Sequence, residues 1–589
     1  MGGAPEPLGN DTGRDAQTIV EALLQRAAAA PDFAALHLHI GDGVHSYTRR
    51  ELVEQSLEWT RAYRALGLRP GDLVIVMIEF GPAMPLAYLG ALLGGFVPSY
   101  MPYSTAKQDR EQFIRSHRRL FERTNAKVVA TNSSWLRSNA AIFENSPVVA
   151  LIAETVGAEG LTPALEPPYQ AAPEDVALLQ HSSGTTALKK GVALSHRAVL
   201  NQARSYAAAI GLTETDTIAS WLPLYHDMGL MACFLIPAVM GTPVAQMDPF
   251  LWAREPWRLF LMIAERRATL VWLPNFAYHH LARTVDPASP YDLSPVRAFI
   301  ACSEPCKPAT MRAFIESFGA WGVRPEALHA CYAMAENGFA VTQTWLGGQA
   351  RYLRADADGI SSDRRYSEAA PGRGVQELMS TGRPIEGVQV SIVDETRAPV
   401  AEGMVGEIAV AGESLFSGYF RLQQETDAAF QGGWYYTGDL GFLKDQELYI
   451  TGRKKDLIIV RGRNFYAHDI EFAVSEVEGL KPGRSVAFGV FREASGTEEA
   501  IVVAEAEQFD RLAPEDVRGR SMKVKERVKA ALDLELFSVK LVEPGWLVKT
   551  TSGKVSRSEN KQKYLDQSRD PNVGPSGETT PLMNQGLLS

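Results

Sequence analysis

Short apolar runs that alternate with helical patterns are the feature that most restricts how this chain can fold. Runs of strand type occur at 72–78, 127–131, 176–182, 268–273 and 296–301. Helical patterns, at 20–30 and 110–125, lie among them. Strands that are apolar on both faces are typical of sheets covered by helices. The pattern therefore predicts an α/β fold with largely parallel sheets.

The second half of the chain changes in character. Residues 388–420 are punctuated by glycine and carry alternating apolar positions, which predicts a small β-rich subdomain. From Lys455 onward an α+β pattern begins again, and a chain of 589 residues exceeds what one cooperative core usually holds. We therefore expect a large N-terminal domain over 16–454 and a small C-terminal domain over 455–568.

Composition excludes several classes of protein. The formal net charge of −10 argues against a surface that wraps nucleic acid, and four cysteines are too few for a disulfide scaffold. No uncharged run reaches the roughly 18 residues of a membrane span, and the N-terminus has no signal-peptide pattern. We expect a cytoplasmic protein with no membrane span and no nucleic-acid partner. Its ends, 1–15 and 569–589, are rich in Gly, Pro and Ser and are expected to be disordered.

The sharpest motif is the Ser/Thr/Gly-rich stretch from Gln180 to Gly191, QHSSGTTALKKG. An apolar strand leads into it, and a second apolar run leaves it. Small residues let backbone N–H groups approach an anion closely, and hydroxyl groups add donors, which is what a triphosphate requires. Lys189 stands where a Walker A loop has glycine, so this is a different phosphate loop. A polar hairpin turn is the alternative.

Further patterns suited to a nucleotide follow in order along the chain. Tyr332 precedes Glu336 by four residues, and an aromatic ring can stack on a base while a carboxylate binds the Mg²⁺ of a triphosphate. Asp439 lies in a turn where it can accept both ribose hydroxyls, and the basic stretch 452–456 comes soon after. Lys554 is flanked by glycine near the C-terminus. Taken singly, each is also an ordinary turn or surface residue.

The ordered set of motifs resembles the AMP-forming adenylating superfamily of acyl-CoA synthetases, nonribosomal-peptide adenylation domains and luciferases. The resemblance runs from about residue 15 to residue 565 and rests on SSGTTALKKGV, LPLYHDMGL, ACSEP, YAMAE, GEIAVAG, YYTGDLG, GRKKDLIIVRGRNFYAHDIE and KTTSGK. It implies a large N-terminal domain of two α/β sheet subdomains and a small β-rich subdomain. A small mobile α+β C-terminal domain with the catalytic lysine would follow. ATP and Mg²⁺ are the cofactors that it implies.

The resemblance implies a role for each matching residue. Around the phosphates it places Ser182, Ser183, Gly184, Thr185, Thr186 and Lys190. Around the adenine it places Ser303, Glu304, Pro305, Tyr332, Ala333 and Met334. It implies that Asp439 and Arg453 bind the ribose and that Thr186 and Glu336 bind the metal. Lys455 would be the hinge. The catalytic residues are Lys554, His226 and Glu336; Lys554 would bridge the attacking carboxylate and the α-phosphate, two anions that repel each other.

The stretches between the motifs indicate the acyl substrate. Residues 221–236 are strongly apolar with Gly and Met, as suits a flexible acyl tunnel, and 273–278 adds aromatic residues. Ordinary core packing is the alternative for most of them. LPLYHDMGL, PNFAY, YAMAE and GRNFYAHDIE together resemble fatty acyl-AMP ligases, which implies a medium- to long-chain fatty acid as substrate.

The stretch 345–377 is long for a connection and bears on the thiol acceptor. Fatty acyl-AMP ligases carry an insertion here that restrains the C-terminal domain and disfavours CoA, so the resemblance implies an acyl carrier protein as acceptor. A tolerated surface loop is the alternative reading. Two other functions stay open: a fatty acyl-CoA ligase, and a non-catalytic homologue that binds acyl-adenylate. Three residues (Ala333, Asn337 and Val548) depart from the usual motifs and concern the branch rather than the chemistry.

Overall fold

The computed structural model describes residues 15–569, except for 104–109, 158–166, 182–189, 287, 371–373, 462, 493–496 and 550–554. The chain divides into two compact units. The first unit holds the chain up to Ala355 together with Tyr366–Glu368 and Gln376–Thr451. The second holds Asp356–Arg365, Ala369–Val375 and the chain from Gly452 onward.

A nine-stranded sheet forms the centre of the first unit. In spatial order its strands are Arg383–Pro384, Ala340–Gln343, Leu328–Ala333, Ala298–Ala301, Leu270–Leu273, Ile218–Ser220, Val244–Met247, Ala34–Ile40 and Gly43–Thr48. The six strands from Leu328–Ala333 to Ala34–Ile40 run parallel, and antiparallel strands close both edges. Strands such as Leu270–Leu273 are buried along their whole length because helices cover both faces. The predicted α/β fold with largely parallel sheets is confirmed.

A second, all-parallel sheet contains the apolar runs near the N-terminus. Its strands are Val97–Tyr100, Leu73–Met77, Val128–Thr131 and Val149–Ile152. Every residue of Leu73–Met77 is buried, and Leu73, Ile75 and Met77 pack with Trp135 in a core of their own. Two of the predicted strands and the predicted helix at 110–125, which spans Arg110–Thr124, belong to this layer.

The run at 176–182 differs from the expectation of parallel pairing. Val176–His181 pairs antiparallel with Gly191–Ser195, which pairs antiparallel in turn with Gly418–Tyr419. The physical reason is the length of the connection, because a parallel crossover takes about a dozen residues or more and usually contains a helix. The predicted phosphate loop therefore joins the two strands of a hairpin.

The predicted β-rich subdomain is an antiparallel sheet. Its strands are Val388–Val393, Gly406–Gly412, Trp434–Lys444 and Phe430–Gln431, with Glu447–Arg453 paired to Trp434–Lys444. A further pair, Tyr352–Asp356 and Val375–Met379, lies within the long stretch 345–377 and at its end.

Helices pack against the sheets of the first unit. They span Ile19–Ala29, Arg49–Ala65, Ala83–Leu93, Arg110–Thr124, Ser133–Asn139, His196–Ile210, Ile236–Met240, Pro249–Arg254, Arg258–Arg266, Asn275–Thr284, Pro308–Phe318 and Gln423–Ala429, with a wide π-helix at Met228–Leu235. Local sequence fixes their ends. Ser195 caps His196–Ile210 by accepting from Ala198 N, and Gly211 ends it at φ 56°, a conformation that favours glycine.

The second unit is an α+β domain. Its central sheet joins Leu480–Arg492 antiparallel to Thr497–Ala506, which is parallel to Ser538–Val542. Separate apolar clusters cover its two faces. A hairpin of Leu457–Val460 and Arg463–Tyr466 precedes it, and the helices span Ala357–Ser361, Ala467–Ser475, Pro514–Leu532 and Arg557–Arg569. A large N-terminal domain and a smaller C-terminal one were expected, and both are present.

Candidate active site

Parallel strands of the large sheet end in the predicted site residues. Trp221 follows Ile218–Ser220, Ser303 comes soon after Ala298–Ala301, and Tyr332 lies at the end of Leu328–Ala333. Ligands of open α/β sheets bind outside the carboxyl ends of the strands. The topology therefore collects at one sheet edge residues that lie more than a hundred positions apart in the chain.

Tyr332 and Asp439 form a direct contact. The Tyr332 hydroxyl donates to Asp439 Oδ2 at 2.7 Å, and the Tyr332 side chain is buried. Asp439 lies in the strand Trp434–Lys444 and not in the predicted turn; its N–H donates to Thr437 Oγ1 at 3.0 Å, and Gly438 before it adopts φ 73°. The ring predicted to stack on adenine and the carboxylate predicted to bind ribose thus lie side by side.

Glu336 lies in a short 3₁₀ turn, Ala335–Asn337, just after the strand that carries Tyr332. Its Oε1 accepts from the Tyr419 hydroxyl at 2.9 Å, and its carbonyl accepts from Phe416 N at 2.8 Å. Burial raises the pKa of the Glu336 carboxyl, and the charge of Asp227 raises it further, against the hydrogen bonds that lower it. A half-buried carboxylate with a carboxylate neighbour is suited to a cation.

A magnesium ion fits these residues only with help from a nucleotide. Within the described residues, Glu336 forms no ion pair, and no group of three His, Cys, Asp or Glu side chains could hold a metal. Mg²⁺ is usually bound by one or two carboxylates together with substrate phosphates. Glu336 would supply the carboxylate, and the bound ion would neutralise charge on the triphosphate. Thr186, the other predicted ligand, lies outside the described residues.

His226 and Asp227 form a pair at the start of the π-helix. His226 Nδ1 lies 2.6 Å from Asp227 Oδ1, and Asp227 Oδ1 also accepts from Met228 N at 2.9 Å. His226 was predicted to be catalytic, and Asp227 follows it in the motif LPLYHDMGL. The negative charge of Asp227 contributes to the raised pKa of Glu336.

The other predicted adenine residues have mixed surroundings. Ser303 adopts φ 68°, a left-handed conformation that reverses the chain after its strand. Glu304 Oε2 accepts from Phe276 N at 3.0 Å, so this carboxylate lies at the N-terminus of the helix Asn275–Thr284, where negative charge is favoured. Met334 N donates to Phe339 O at 2.8 Å, which closes the turn that leads to Glu336. Ala333 is half-buried, and Pro305 follows Glu304 directly.

Two tyrosines beside Glu336 were not among the site residues predicted from the sequence. Tyr419 lies in the short strand after GEIAVAG, and Tyr435 lies in the strand that leads to Asp439. Their hydroxyl oxygens are 3.3 Å apart. Burial raises the pKa of both phenols, so both stay protonated donors at neutral pH. Tyrosines in neighbouring strands were the available signal, but spacing alone does not show which carboxylate they face.

The phosphate motif is only partly described. Ser182, Ser183, Gly184, Thr185 and Thr186 lie outside the described residues. Lys190, which follows them, has its Nζ 4.5 Å from the centre of the Tyr419 ring. This cation lies next to the phenol that holds Glu336, which connects the end of the phosphate motif with the metal candidate.

The predicted acyl region is buried and apolar. All residues of the π-helix Met228–Leu235 are buried, and a Cβ on Gly229 would meet Pro223 O at 2.3 Å, so only glycine allows this approach. Nearby, Trp221 and Trp252 stack with their ring centres 3.6 Å apart. π-Helical turns are frequent at functional sites.

The remaining predicted residues belong to the second unit. Arg453 precedes the turn Lys454–Asp456, which contains the predicted hinge Lys455. Lys554 lies outside the described residues, but its loop has a fixed base: Lys549 and Val555 pair as an antiparallel bridge, and Ser556 N donates to Val548 O at 2.9 Å.

The stretch 345–377 contributes to the second unit. Asp358 Oδ1 accepts from Arg463 at 2.9 Å, and the Asn464 side chain donates to Ser361 O at 2.6 Å. Arg463 also pairs with Asp533 at 3.0 Å. The helix Ala357–Ser361 therefore packs on the hairpin strand Arg463–Tyr466.

Comparison with known proteins decides the family. A family model described as AMP-binding enzyme matches residues 23–420, more than half of the chain. The chain belongs to the AMP-binding enzyme family. The predicted membership of the AMP-forming adenylating superfamily is therefore confirmed.

Relatives of this AMP-binding enzyme agree with the predicted branch. Long-chain-fatty-acid–AMP ligase FadD26 of Mycobacterium bovis is 31% identical, over 93% of this chain and 97% of the relative. Medium-chain-fatty-acid–acyl-carrier-protein ligase JamA of Moorena producens is 35% identical, over 67% of this chain and 69% of the relative. A solved structure from a study of fatty acyl-adenylate ligases of E. coli and L. pneumophila superposes with a TM-score of 0.85 at 28% identity, covering 94% of this chain and 98% of its own.

No helix within the described parts of this AMP-binding enzyme is both long and apolar enough to cross a membrane. Localisation to the cytoplasm stays a prediction.

Proposed function

We propose that this enzyme activates a medium- to long-chain fatty acid with MgATP and then transfers the acyl group to the phosphopantetheine thiol of an acyl carrier protein. The observation that carries the proposal is the cluster of Tyr332, Asp439 and Glu336, with hydrogen bonds of 2.7 Å between Tyr332 and Asp439 and 2.9 Å between Glu336 and Tyr419. An aromatic ring, a carboxylate on the strand Trp434–Lys444 and a half-buried carboxylate are what adenine, ribose and the metal-bound triphosphate require.

In the first half-reaction, a carboxylate oxygen of the fatty acid attacks the α-phosphorus of ATP. The new O–P bond forms while the bond to the β-phosphate breaks, so that acyl-AMP and pyrophosphate result. Both reactants are anionic, and a cation between them removes their repulsion and stabilises charge at phosphorus. We assign this role to Lys554. The phosphates would be bound by Ser182, Ser183, Gly184, Thr185, Thr186 and Lys190.

The nucleotide would be held around Tyr332 and Asp439, which are already in contact with each other. The Tyr332 ring would stack on the adenine beside Ser303, Glu304, Pro305, Ala333 and Met334. Asp439 and Arg453 would hold the ribose, while Glu336 and Thr186 would bind the metal. His226 is assigned to the same site as the metal carboxylate Glu336. Its partner Asp227 carries one of the charges that raise the Glu336 pKa.

The buried π-helix supports an apolar acyl group as the substrate. Flexible Met side chains and glycine in Met228–Leu235 suit a tunnel that accepts a chain rather than a polar amino acid. The names of FadD26 and JamA, both fatty-acid ligases, support the same class of acid.

In the second half-reaction, the thiol sulfur attacks the acyl carbonyl carbon. A C–S bond forms, the bond to AMP breaks, and the thiol proton passes to solvent. The carrier protein is favoured over CoA because residues 356–365 and 369–375 belong to the second unit although the chain around them belongs to the first. A tether of this kind would restrain the mobile domain, which a carrier protein could offset through its own surface contacts.

One experiment tests both halves. Purified enzyme receives MgATP and saturated acids of increasing length, and pyrophosphate release is measured together with acyl-AMP. Acyl transfer is then measured with CoA and with a phosphopantetheinylated carrier protein in parallel. Adenylation with transfer to the carrier alone is expected. Equal transfer to CoA would make the chain an acyl-CoA ligase, and absence of acyl-AMP with every acid would favour a non-catalytic homologue.

A further inference from the structure

Tyr419 connects the strand that follows the phosphate motif with the candidate metal carboxylate. It lies in the strand Gly418–Tyr419, which pairs with Gly191–Ser195 in the register Tyr419 opposite Val192. Its backbone is fixed from a second side, because Tyr419 N donates to Thr426 Oγ1 at 2.9 Å. The ring therefore has a defined position relative to Lys190, which immediately precedes Gly191.

The hydroxyl group of Tyr419 restricts Glu336 at one oxygen. It donates to Glu336 Oε1 at 2.9 Å, and the backbone of the same turn is held because Phe416 N donates to Glu336 O at 2.8 Å. Tyr435, whose hydroxyl is 3.3 Å from that of Tyr419, lies beside the same carboxylate and lowers its pKa. A carboxylate fixed in this way keeps one orientation without a counter-cation from the described residues.

The face of the same ring receives a cation. Lys190 Nζ lies 4.5 Å from the ring centre, within the distance at which an ammonium group is attracted to an aromatic face. The hydroxyl edge and the aromatic face of one side chain thus contact two different groups, one anionic and one cationic. Both groups are assigned to the triphosphate and its metal in the proposed function.

We propose that Tyr419 is a positioning residue for adenylation: its hydroxyl orients Glu336 toward the cation of MgATP, and its ring holds Lys190 beside the phosphates. The inference rests on the proposed function and adds a residue to it. Preorganised groups lose less freedom when the ligand binds, so the contribution should appear as affinity for metal-bound nucleotide. A residue that merely fills the core would change stability and leave that affinity alone.

Two substitutions at this position separate the two contacts. Tyr419→Phe removes the hydroxyl and keeps the aromatic face over which Lys190 lies, whereas Tyr419→Leu removes both. Tyr63→Phe is the matched control, since Tyr63 is fully buried and its hydroxyl donates to Ala87 O at 3.0 Å. ATP affinity is measured by calorimetry with and without Mg²⁺, and Mn²⁺ binding to the enzyme–ATP complex by electron paramagnetic resonance. Melting temperatures are recorded for every variant.

We expect Tyr419→Phe to reduce the Mg²⁺-dependent gain in ATP affinity about tenfold, the scale of a hydrogen bond to a charged group, and to weaken Mn²⁺ binding equally. The ATP affinity of Tyr419→Phe without Mg²⁺ should stay within about twofold of wild type. Tyr419→Leu should also lower the ATP affinity measured without Mg²⁺.

The inference is overturned if the Mg²⁺-dependent gain of Tyr419→Phe equals that of wild type and of Tyr63→Phe, whatever the melting temperature of Tyr419→Phe. If Tyr419→Phe does not fold, Tyr435→Phe must lower the gain instead, and an unchanged gain there also overturns it. Failure of the wild-type enzyme to form acyl-AMP would instead count against the proposed function.

Discussion

The Tyr332 hydroxyl lies 2.7 Å from Asp439 Oδ2 and joins the large parallel sheet to the β-rich subdomain. Tyr332 ends the strand Leu328–Ala333, and Asp439 lies within Trp434–Lys444. A side chain in each of two sheets is thereby fixed against the other before any nucleotide binds. The pair defines the edge of the site on which adenine and ribose are proposed to lie.

Asp439→Ala should raise the KM for ATP about tenfold or more with little change in kcat. The reason is that ribose hydrogen bonds are made in the ground state as well as in the transition state, so their loss weakens binding uniformly. Tyr332→Phe keeps the stacking ring and removes only the hydroxyl that orients Asp439, so a smaller rise in KM is expected. Initial rates of acyl-AMP formation against ATP concentration measure both. A flat KM with reduced kcat in Asp439→Ala would contradict the ribose assignment.

Lys554→Ala should abolish acyl-adenylate formation while ATP binding and folding stay near wild type. Removal of one preorganised donor costs roughly 3–4 kcal/mol, more than a hundredfold in rate. The bridge between Lys549 and Val555 fixes the base of the loop independently of the Lys554 side chain. Rapid-quench measurement of acyl-AMP is the test, with Lys523→Ala on the exposed face of Pro514–Leu532 as the control. A rate near that of wild type would remove Lys554 from the mechanism.

The sequence predicted elements whose signal is local. Leu73–Met77 and Leu270–Leu273 are apolar on both faces, which only a covered sheet allows, and both are strands. The apolar pattern of Val176–His181 does not show its antiparallel pairing; the signal is the short connection to Gly191–Ser195, which leaves no room for a parallel crossover and agrees with the hairpin alternative.

Site residues with ordered motifs were predictable, whereas the groups that position them were not. Glu336 and Asp439 stand in short motifs, but Tyr419 reaches Glu336 only through the pairing of its strand with Gly191–Ser195. Likewise, nothing in the local pattern of Ala357–Ser361 shows that it packs on Arg463–Tyr466, more than ninety positions away. Such contacts between distant segments depend on the topology of the whole fold.

Acidification should destabilise the first unit through buried neutral histidines. Burial lowers the pKa of His329 from 6.5 to about 4, and His329 is fully buried with Nδ1 3.2 Å from Thr344 Oγ1. Between these two pKa values the unfolded chain binds a proton that the folded state does not, so stability is complete above pH 6.5 and falls as the pH drops towards 4. The slope approaches about 1.4 kcal/mol per pH unit for one such group.

His329→Asn tests this dependence, since asparagine keeps a polar side chain but does not titrate. Urea unfolding at several pH values from 7 down to 5 should give the variant a shallower loss of stability than wild type, even though its stability at pH 7 is lower. Burial also lowers the pKa of His39 to about 4, so His39→Asn should reduce the loss of stability between pH 7 and 5 by a similar amount. Parallel pH curves for wild type and His329→Asn would show that His329 is not the group responsible.

The long stretch 345–377 provides the test of the thiol acceptor, through its central part, residues 356–375. If residues 356–375 restrain the second unit, CoA should be a poor acceptor although adenylation is normal. A restraint of about 3 kcal/mol leaves the thioester-forming arrangement below about one per cent populated, and removing the restraint restores it. Replacing 356–375 by a short Gly-Ser connection should therefore raise acyl-CoA output by more than tenfold with unchanged acyl-AMP formation.

Asp358→Ala should also raise acyl-CoA output, but only slightly. Its carboxylate, which pairs with Arg463, is 63% exposed, and such pairs contribute about 0.2–1 kcal/mol. Asp533→Ala is the matched control, since it removes the other partner of Arg463, at 3.0 Å, and leaves the contact with 356–375 in place. Intact enzyme that forms acyl-CoA as fast as it adenylates would show that no restraint exists, and the stretch would then be a long loop of an acyl-CoA ligase.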